Sequence, residues 1–315
     1  MSSKRLDDKE IDHDRRHALE CMVWAGTGVL WTMSGGVPVS SALLGEAKAA
    51  DSAGFSFLQM SDSHIGFDKA ANPDALGTLR EAVTRVKALT ERPSFIVHTG
   101  DITHLSKPQE FDNAEQVFTE TGLQIHYVPG EHDIIDEERG KAYLDRYGKG
   151  TKGDGWYSFD DHGVHFIGLV NVVDLKGGGL GNLGAEQIAW LEADLKGKSA
   201  STPIVVFAHI PLYVLYQQWG WGTEDGARAL DLLKRFGSVT VLNGHIHQLA
   251  QKVEGNMTFH TALSTAFPQP VPGTAPSPGP MRVPAEKLRS YLGLSSVTLA
   301  QGSKPLAIVD TTLAS

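Results

Sequence analysis

The stretch FLQMSDSHIG, residues 57–66, sets apolar Phe57, Leu58 and Met60 directly ahead of the triplet Asp62-Ser63-His64. A short apolar run bounded by polar residues reads as a buried strand. Asp62 and His64 then stand at its exit with one residue between them. Along an extended backbone, residues two apart point the same way, so the pair reads as a pincer. The form recurs along the chain. SFIVHTGD (94–101) ends on Asp101, QIHYVPGEHD (124–133) on Glu131 and His132, TPIVVFAHIP (202–211) carries His209, and SVTVLNGHIH (238–247) ends on His245 and His247.

Helical periodicity fills the intervals. Leu76, Leu79, Val83 and Val86 recur at three- and four-residue spacing, Phe111, Ala114 and Phe118 mark a second helix that stops at Gly122, and Ile188, Leu191 and Leu195 mark a third. A further helix carries Leu230 and Leu233, and His162-Gly163 sits between two apolar segments as a hairpin turn. Apolar strands that are continuous rather than alternating imply sheets covered on both faces. The expected fold is therefore α/β, a layered αββα sandwich of mixed sheets in one domain over 50–315. Seven of the fifteen prolines fall between Pro268 and Pro284. Such a segment is stiff and poor in donors, and reads as a surface strap. A short helix from Pro284 to Leu292 and an apolar strand, PLAIVDTTL, close the chain.

The formal charge of -9 argues against binding a nucleic-acid polymer, which needs an excess of Lys and Arg. The only cysteine, Cys21, lies in a first segment expected to be removed by processing, so a Cys nucleophile or Cys-ligated zinc is not expected in the mature protein. Ahead of the domain stand paired Arg15 and Arg16, an apolar run from Cys21 to Met33, and Ala47-Lys48-Ala49. That order of parts reads as a signal peptide over 1–49. The Arg pair, with Leu19 beyond it, is similar to a twin-arginine signal, although Asp14, Ala18 and Glu20 depart from the pattern. The apolar run is too short for a span of about 20 residues. The expectation is export to the periplasm through the twin-arginine machinery, with no stable membrane anchor.

An isolated Asp or His at a strand end is usually a turn residue. Five strand ends sharing the pattern are better read as one rim, since ligands bind at the carboxyl ends of strands in α/β sheets. Carboxylates and imidazoles without thiolate suit manganese, iron or zinc. Taken in order, Asp62-Ser63-His64, Gly100-Asp101, Gly130-Glu131-His132-Asp133, His209 and Gly244-His245-Ile246-His247 resemble the calcineurin-like metallophosphoesterases, and most closely their class III cyclic-nucleotide phosphodiesterase branch.

The resemblance implies a site for two divalent or mixed-valence ions. Asp62, His64 and His247 would take one ion, His209 and His245 with position 131 the other, and Asp101 would bridge them. His132 would protonate the leaving group or hold the phosphoryl oxygen. Two departures stand out. Glu131 occupies the place of the family's usual Asn: if it coordinates, about one net positive charge is left on two divalent ions instead of about two, and the alternative is that its longer side chain swings out to a partner beside the site. Coordination favours monoanionic diesters over dianionic monoesters. His104 replaces an acid that in many relatives orients the catalytic His, and Asp133 is either a second candidate for that task or a turn cap. His98, His126, His162, His165 and His260 read as packed or surface histidines. Trp219 and Trp221, near the rim in sequence, read as a base-stacking platform or a hydrophobic lid. The expected activity is hydrolysis of small phosphodiesters, with a phosphomonoesterase or a metal-binding scaffold without turnover as alternatives.

Overall fold

A computed structural model describes residues 31–34, 37–40, 55–299 and 306–314. Before residue 52, the described residues form a ribbon of their own, strand β1 (Trp31–Ser34) paired antiparallel with β2 (Val37–Ser40). The rest of the expected export signal lies outside the described residues.

From β3 (Phe55–Met60) onward the chain builds two facing sheets. One has β3 at its centre, parallel to β4 (Phe95–His98), which in turn is parallel to β5 (Gln124–Tyr127). On the other side of β3 runs β12 (Gly293–Leu299), antiparallel to it and to the edge strand β13 (Ala307–Thr312). In the second sheet, β7 (Val164–Gly168), β8 (Ile204–Phe207), β9 (Val239–Asn243) and β11 (Met257–Thr261) run parallel. Antiparallel edges β6 (Tyr157–Asp161) and β10 (Ala250–Glu254) close it.

Alternation explains why the strands are apolar throughout. On β3, Phe57 joins a core shared with Phe95, Phe166, Val205 and Phe207, between the sheets. Its neighbour Leu58 points the other way, into a core with helices α1 (Ala75–Ala88) and α2 (Pro108–Thr119) and with Tyr143 of α3 (Lys141–Tyr147). On β8 the split repeats. Val205 and Phe207 face inward, while Ile204 and Val206 face α4 (Gly184–Leu195) and α5 (Gly226–Leu233). The layers are thus helix, sheet, sheet, helix, as the continuous apolar runs required. Phe166 packs edge-on against Phe57 and Phe95, each at 5.3 Å between ring centroids, and truncating such a core ring costs about 3–5 kcal/mol.

Local chemistry sets the element ends. Asp74 Oδ1 accepts the Gly77 N–H at 2.7 Å to cap α1, and Pro108 opens α2, where its missing donor is harmless. His162 and Gly163 both have positive φ, 47° and 78°, the requirement of a two-residue hairpin turn.

Among the described residues, the β1–β2 ribbon, helix α3, the β10–β11 hairpin, strand β12 and the segment after Pro284 differ from the sequence reading. The β10–β11 hairpin and strand β12 were not anticipated, and the segment after Pro284 is a 3-10 stretch, Ala285–Ser290, that leads into β12 at Gly293. β10 reads AQKVE and is largely exposed, so it carries no hydrophobic signal. β12 is joined to β3 from the far end of the sequence. Among the described residues, no helix is long and apolar enough to cross a membrane.

Candidate metal centre

The parallel strands of both sheets discharge at one end of the sandwich, and hydrogen bonds between the sheets fix that end. Gln59 Nε2 donates to the Asn243 carbonyl at 3.0 Å, and His209 Nδ1 to the Thr99 carbonyl at 2.7 Å. All of the candidate residues lie there: Asp62 and His64 after β3, Asp101 after β4, Glu131 and His132 after β5, His209 after β8, His245 and His247 after β9.

The pincers form differently from the expectation. β3 ends at Met60 and β9 at Asn243, so neither pair sits on extended backbone. Asp62 (φ 53°), His64 (41°), Asp101 (54°), His245 (70°) and His247 (50°) are all left-handed. That conformation is unfavourable for residues with a Cβ and clusters at functional sites. Alternation along a strand does not aim these side chains; successive tight turns do.

Close approach of the backbone dictates two glycines. A Cβ at Gly130 would lie 2.0 Å from Asp101 Oδ1, and one at Gly244 would lie 2.0 Å from Ser61 Oγ and 2.5 Å from Asp62 Oδ2.

Among the described residues, ligand-type atoms gather in five overlapping triads, including Asp62–His64–His247, Glu131–His209–His245 and His64–His104–His132. In the first, His247 Nε2 is 3.2 Å from Asp62 Oδ1 and 3.2 Å from His64 Nε2. In the second, Glu131 Oε2 is 2.9 Å from His209 Nε2 and Glu131 Oε1 is 3.0 Å from His245 Nδ1. Asp101 lies between them. Its Oδ2 is 3.4 Å from His64 Nε2 and 3.3 Å from His209 Nε2, while its Oδ1 accepts the His132 N–H at 2.9 Å.

This donor set fits metal ions. His209 Nδ1 and His247 Nδ1 both donate to backbone carbonyls, of Thr99 (2.7 Å) and Phe267 (2.5 Å). In the neutral rings Nε2 is then a bare lone pair. His209 Nε2, Glu131 Oε2 and both ring nitrogens of His245 are buried and, although Glu131 lies within 3.0 Å of both rings, make no hydrogen bond of good geometry. Buried polar atoms are seldom left so, and here they share their surroundings with further lone pairs of Asp62 and Asp101. A cation is the partner that satisfies them together.

Charge states agree with that reading. Burial works to raise the Asp62 pKa, but the charges of His247 and His209 and its hydrogen bonds hold it at about 2. Glu131 is likewise well below its usual value, burial being outweighed by His245 and His209. Burial and the neighbouring imidazoles His132, His247 and His104 push His64 well below 6.5, so its ring is neutral. For His209, burial lowers the pKa, but Asp101 and Glu131 raise it well above that value. A bound cation would take the place of that proton.

Glu131 points into the second group and does not swing away from it. Asp133 is a cap: its carboxylate accepts from the N–H groups of Gly130, Ile102 and Thr103 and from the Thr103 hydroxyl. His132 is oriented instead by the backbone, through Nδ1 donating to the His104 carbonyl at 2.7 Å. A main-chain acceptor leaves no trace in sequence, so neither side-chain candidate for this task was correct. Burial lowers the His132 pKa, but Asp101, Glu131 and that carbonyl raise it above 6.5.

The other histidines have structural partners. His98 is buried with Nε2 2.9 Å from Ser63 Oγ, His165 bridges Asp160 and Asp194, His260 meets Asp310, His126 stacks on Phe159 and His162 on Phe55. Trp221 is 1 % exposed and so offers no stacking face, while Trp219 packs edge-on against it. The strap touches the site through its first residues. Gln248 Nε2 donates to the carbonyls of Gln269 and Pro270, and Gln269 Nε2 to that of His245.

Comparison with known proteins finds phosphoesterases by sequence and by structure. GpdQ of Enterobacter lignolyticus, named as a glycerophosphodiester phosphodiesterase, is 30 % identical over 196 residues, covering 60 % of this chain and 69 % of its own length. A 3',5'-cyclic-nucleotide phosphodiesterase of a Nostoc species is 24 % identical, over 67 % of this chain and 79 % of its own. In structure, a dimetal phosphatase from Danio rerio superposes with a TM-score of 0.59 at 14 % identity, covering 82 % of this chain and 98 % of that one, and so shares the fold. Residues 55–249, which hold every candidate ligand, match the calcineurin-like phosphoesterase family, and the chain belongs to it.

Proposed function

We propose that the protein is a dinuclear metal-dependent phosphodiesterase acting on small organic phosphodiesters. The observation that carries this reading is the position of Asp101 Oδ2, 3.4 Å from His64 Nε2 and 3.3 Å from His209 Nε2. One carboxylate oxygen thus faces both ligand groups. Asp62, His64 and His247 would hold one ion, Glu131, His209 and His245 the other, with Asp101 shared; manganese, iron or zinc suits such donors. When bound, a pair of such ions polarises the phosphoryl oxygen and lowers the pKa of a water.

The chain's own residues supply the rest. His132 donates its Nδ1–H in a hydrogen bond to the His104 carbonyl, so the proton it can transfer resides on Nε2. Asp101 and Glu131 raise its pKa, which favours the imidazolium, and that proton would pass to the departing alkoxide. The His132 main-chain N–H holds Asp101 Oδ1, tying proton donor and shared ligand into one unit.

Diesters are favoured over monoesters by charge. Three carboxylates, Asp62, Asp101 and Glu131, surround the two groups. The net charge left on two divalent ions is then about one, enough for a monoanionic diester and less suited to a dianionic monoester. Relatives named as diesterases support the same choice. We further propose export through the twin-arginine route, on the strength of Arg15-Arg16 and Ala47-Lys48-Ala49. Precursor that stays in the cytoplasm of an exporting cell would count against it.

The test is hydrolysis of a panel of mono- and diesters by the mature protein purified with its native metals. Faster turnover of diesters supports the proposal. Faster turnover of monoesters makes the protein a phosphomonoesterase, and a metal-loaded protein without turnover makes it a binding scaffold.

A further inference from the structure

The histidines around the centre do not all lean on the same kind of partner. His209, His247 and His132 each donate Nδ1–H to a main-chain carbonyl, of Thr99, Phe267 and His104. A carbonyl is a fixed acceptor that cannot change roles. His64 differs: the partner of its Nδ1 is another imidazole nitrogen, His104 Nδ1, at 3.4 Å.

Proton accounting assigns the roles. His64 Nε2 faces Asp101 Oδ2 and His247 Nε2, so this is the nitrogen available to an ion. Nδ1 must then carry the proton, and His104 must meet it with a lone pair, keeping its own proton on Nε2. His104 is held for this task. Its main-chain N–H donates to the Ile65 carbonyl at 2.9 Å, Phe67 packs edge-on at 5.1 Å, and the ring lies nearly parallel to His132, with centroids 4.8 Å apart at 16°.

We propose that His104 is a positioning residue for one of the two ions: its Nδ1 accepts from His64 and aims His64 Nε2 into the group completed by Asp62 and His247. The inference rests on the two-ion reading above. It departs from the role expected for this position, since the His104 ring does not hydrogen-bond His132. The effect is therefore selective, because no atom of His104 belongs to the Glu131–His209–His245 group.

The test is metal binding by the full-length protein, measured by calorimetry and elemental analysis with manganese as the probe. His104→Phe keeps an aromatic ring beside His132 and keeps the carbonyl that orients it, but has no nitrogen for His64. Loss of a partner that orients a ligand histidine typically weakens metal affinity about 10–100-fold. We expect one of two ions to weaken by that factor, the other to bind as in wild type, and His104→Gln, whose amide oxygen can accept, to recover most of the loss. His247→Ala should leave the ion that weakens without its group and make His104→Phe silent in the double variant.

Equal retention of both ions by His104→Phe would overturn the inference, as would equal weakening of both or a Gln variant no better than Phe. Wild-type protein that takes up fewer than two ions would remove the two-ion reading itself, an outcome visible before any variant is made.

Discussion

Glu131 offers the sharpest perturbation, because its carboxylate stands where the family resemblance implies a neutral Asn. Glu131 Oε2 and Oε1 lie 2.9 Å from His209 and 3.0 Å from His245, and the side chain is 25 % exposed. Glu131→Gln preserves length and removes one negative charge; Glu131→Asn restores the usual family residue. Either raises the net charge of a loaded centre by one unit. A dianionic monoester carries one more negative charge than a diester, so it gains one additional unit-charge interaction. At an effective dielectric of about 20 and a separation of about 5 Å, that interaction is worth about 3 kcal/mol. Screening by solvent at this part-exposed site reduces it, and about 1.5–3 kcal/mol corresponds to a change of about 10–100-fold. The assay is kcat/KM for 4-nitrophenyl phosphate against bis(4-nitrophenyl) phosphate, at matched metal content. The monoester-to-diester ratio should rise by that factor in both variants. A ratio within about threefold of wild type, with both ions retained, would refute the electrostatic reasoning.

Further outcomes follow from the same geometry. His132→Gln should lower kcat by about 10²–10⁴ for diesters with alkyl leaving groups and far less for those with 4-nitrophenolate, which needs no proton; an equal loss for both would remove the general-acid role. Gly244→Ala places a Cβ 2.0 Å from Ser61 Oγ and should cost about 1–3 kcal/mol in thermal or denaturant unfolding, together with weakened metal uptake through the displaced Asp62; unchanged melting and metal content would show that the turn can relax. Burial holds the His98 ring neutral, with a pKa of about 3. Its folded-state value is depressed, so its contribution to stability is complete above about pH 6.5 and is lost as pH falls toward 3. Below pH 6.5 wild type should lose stability more steeply than His98→Gln, by up to about 1.4 kcal/mol per pH unit, and parallel acid-unfolding curves would count against it.

The fold and the ligand rim were legible because both rest on strong signals. Strands such as FSFLQM and IVVF are apolar on both faces since Phe57 and Leu58, or Val205 and Val206, enter different cores. Each polar exit then stood out against its strand. β10 was illegible because its residues face solvent, and β12 because Gly293–Leu299 acquires its strand partner β3 only through the folded sheet. At the centre, residue types announced the chemistry but not the backbone that aims it. Left-handed Asp62 and His64 replace the extended pincer, and the carbonyls of Thr99, Phe267 and His104 orient three of the rings. Main-chain acceptors have no residue type, so only coordinates reveal them.

The central claim is that two ions share Asp101. Anomalous diffraction from crystals of the protein grown with manganese tests it directly. Two peaks are predicted, roughly 3.5–4 Å apart, one among Asp62, His64 and His247 and the other among Glu131, His209 and His245, with Asp101 touching both. A single peak, or peaks that leave Asp101 without contact to either ion, would contradict the account.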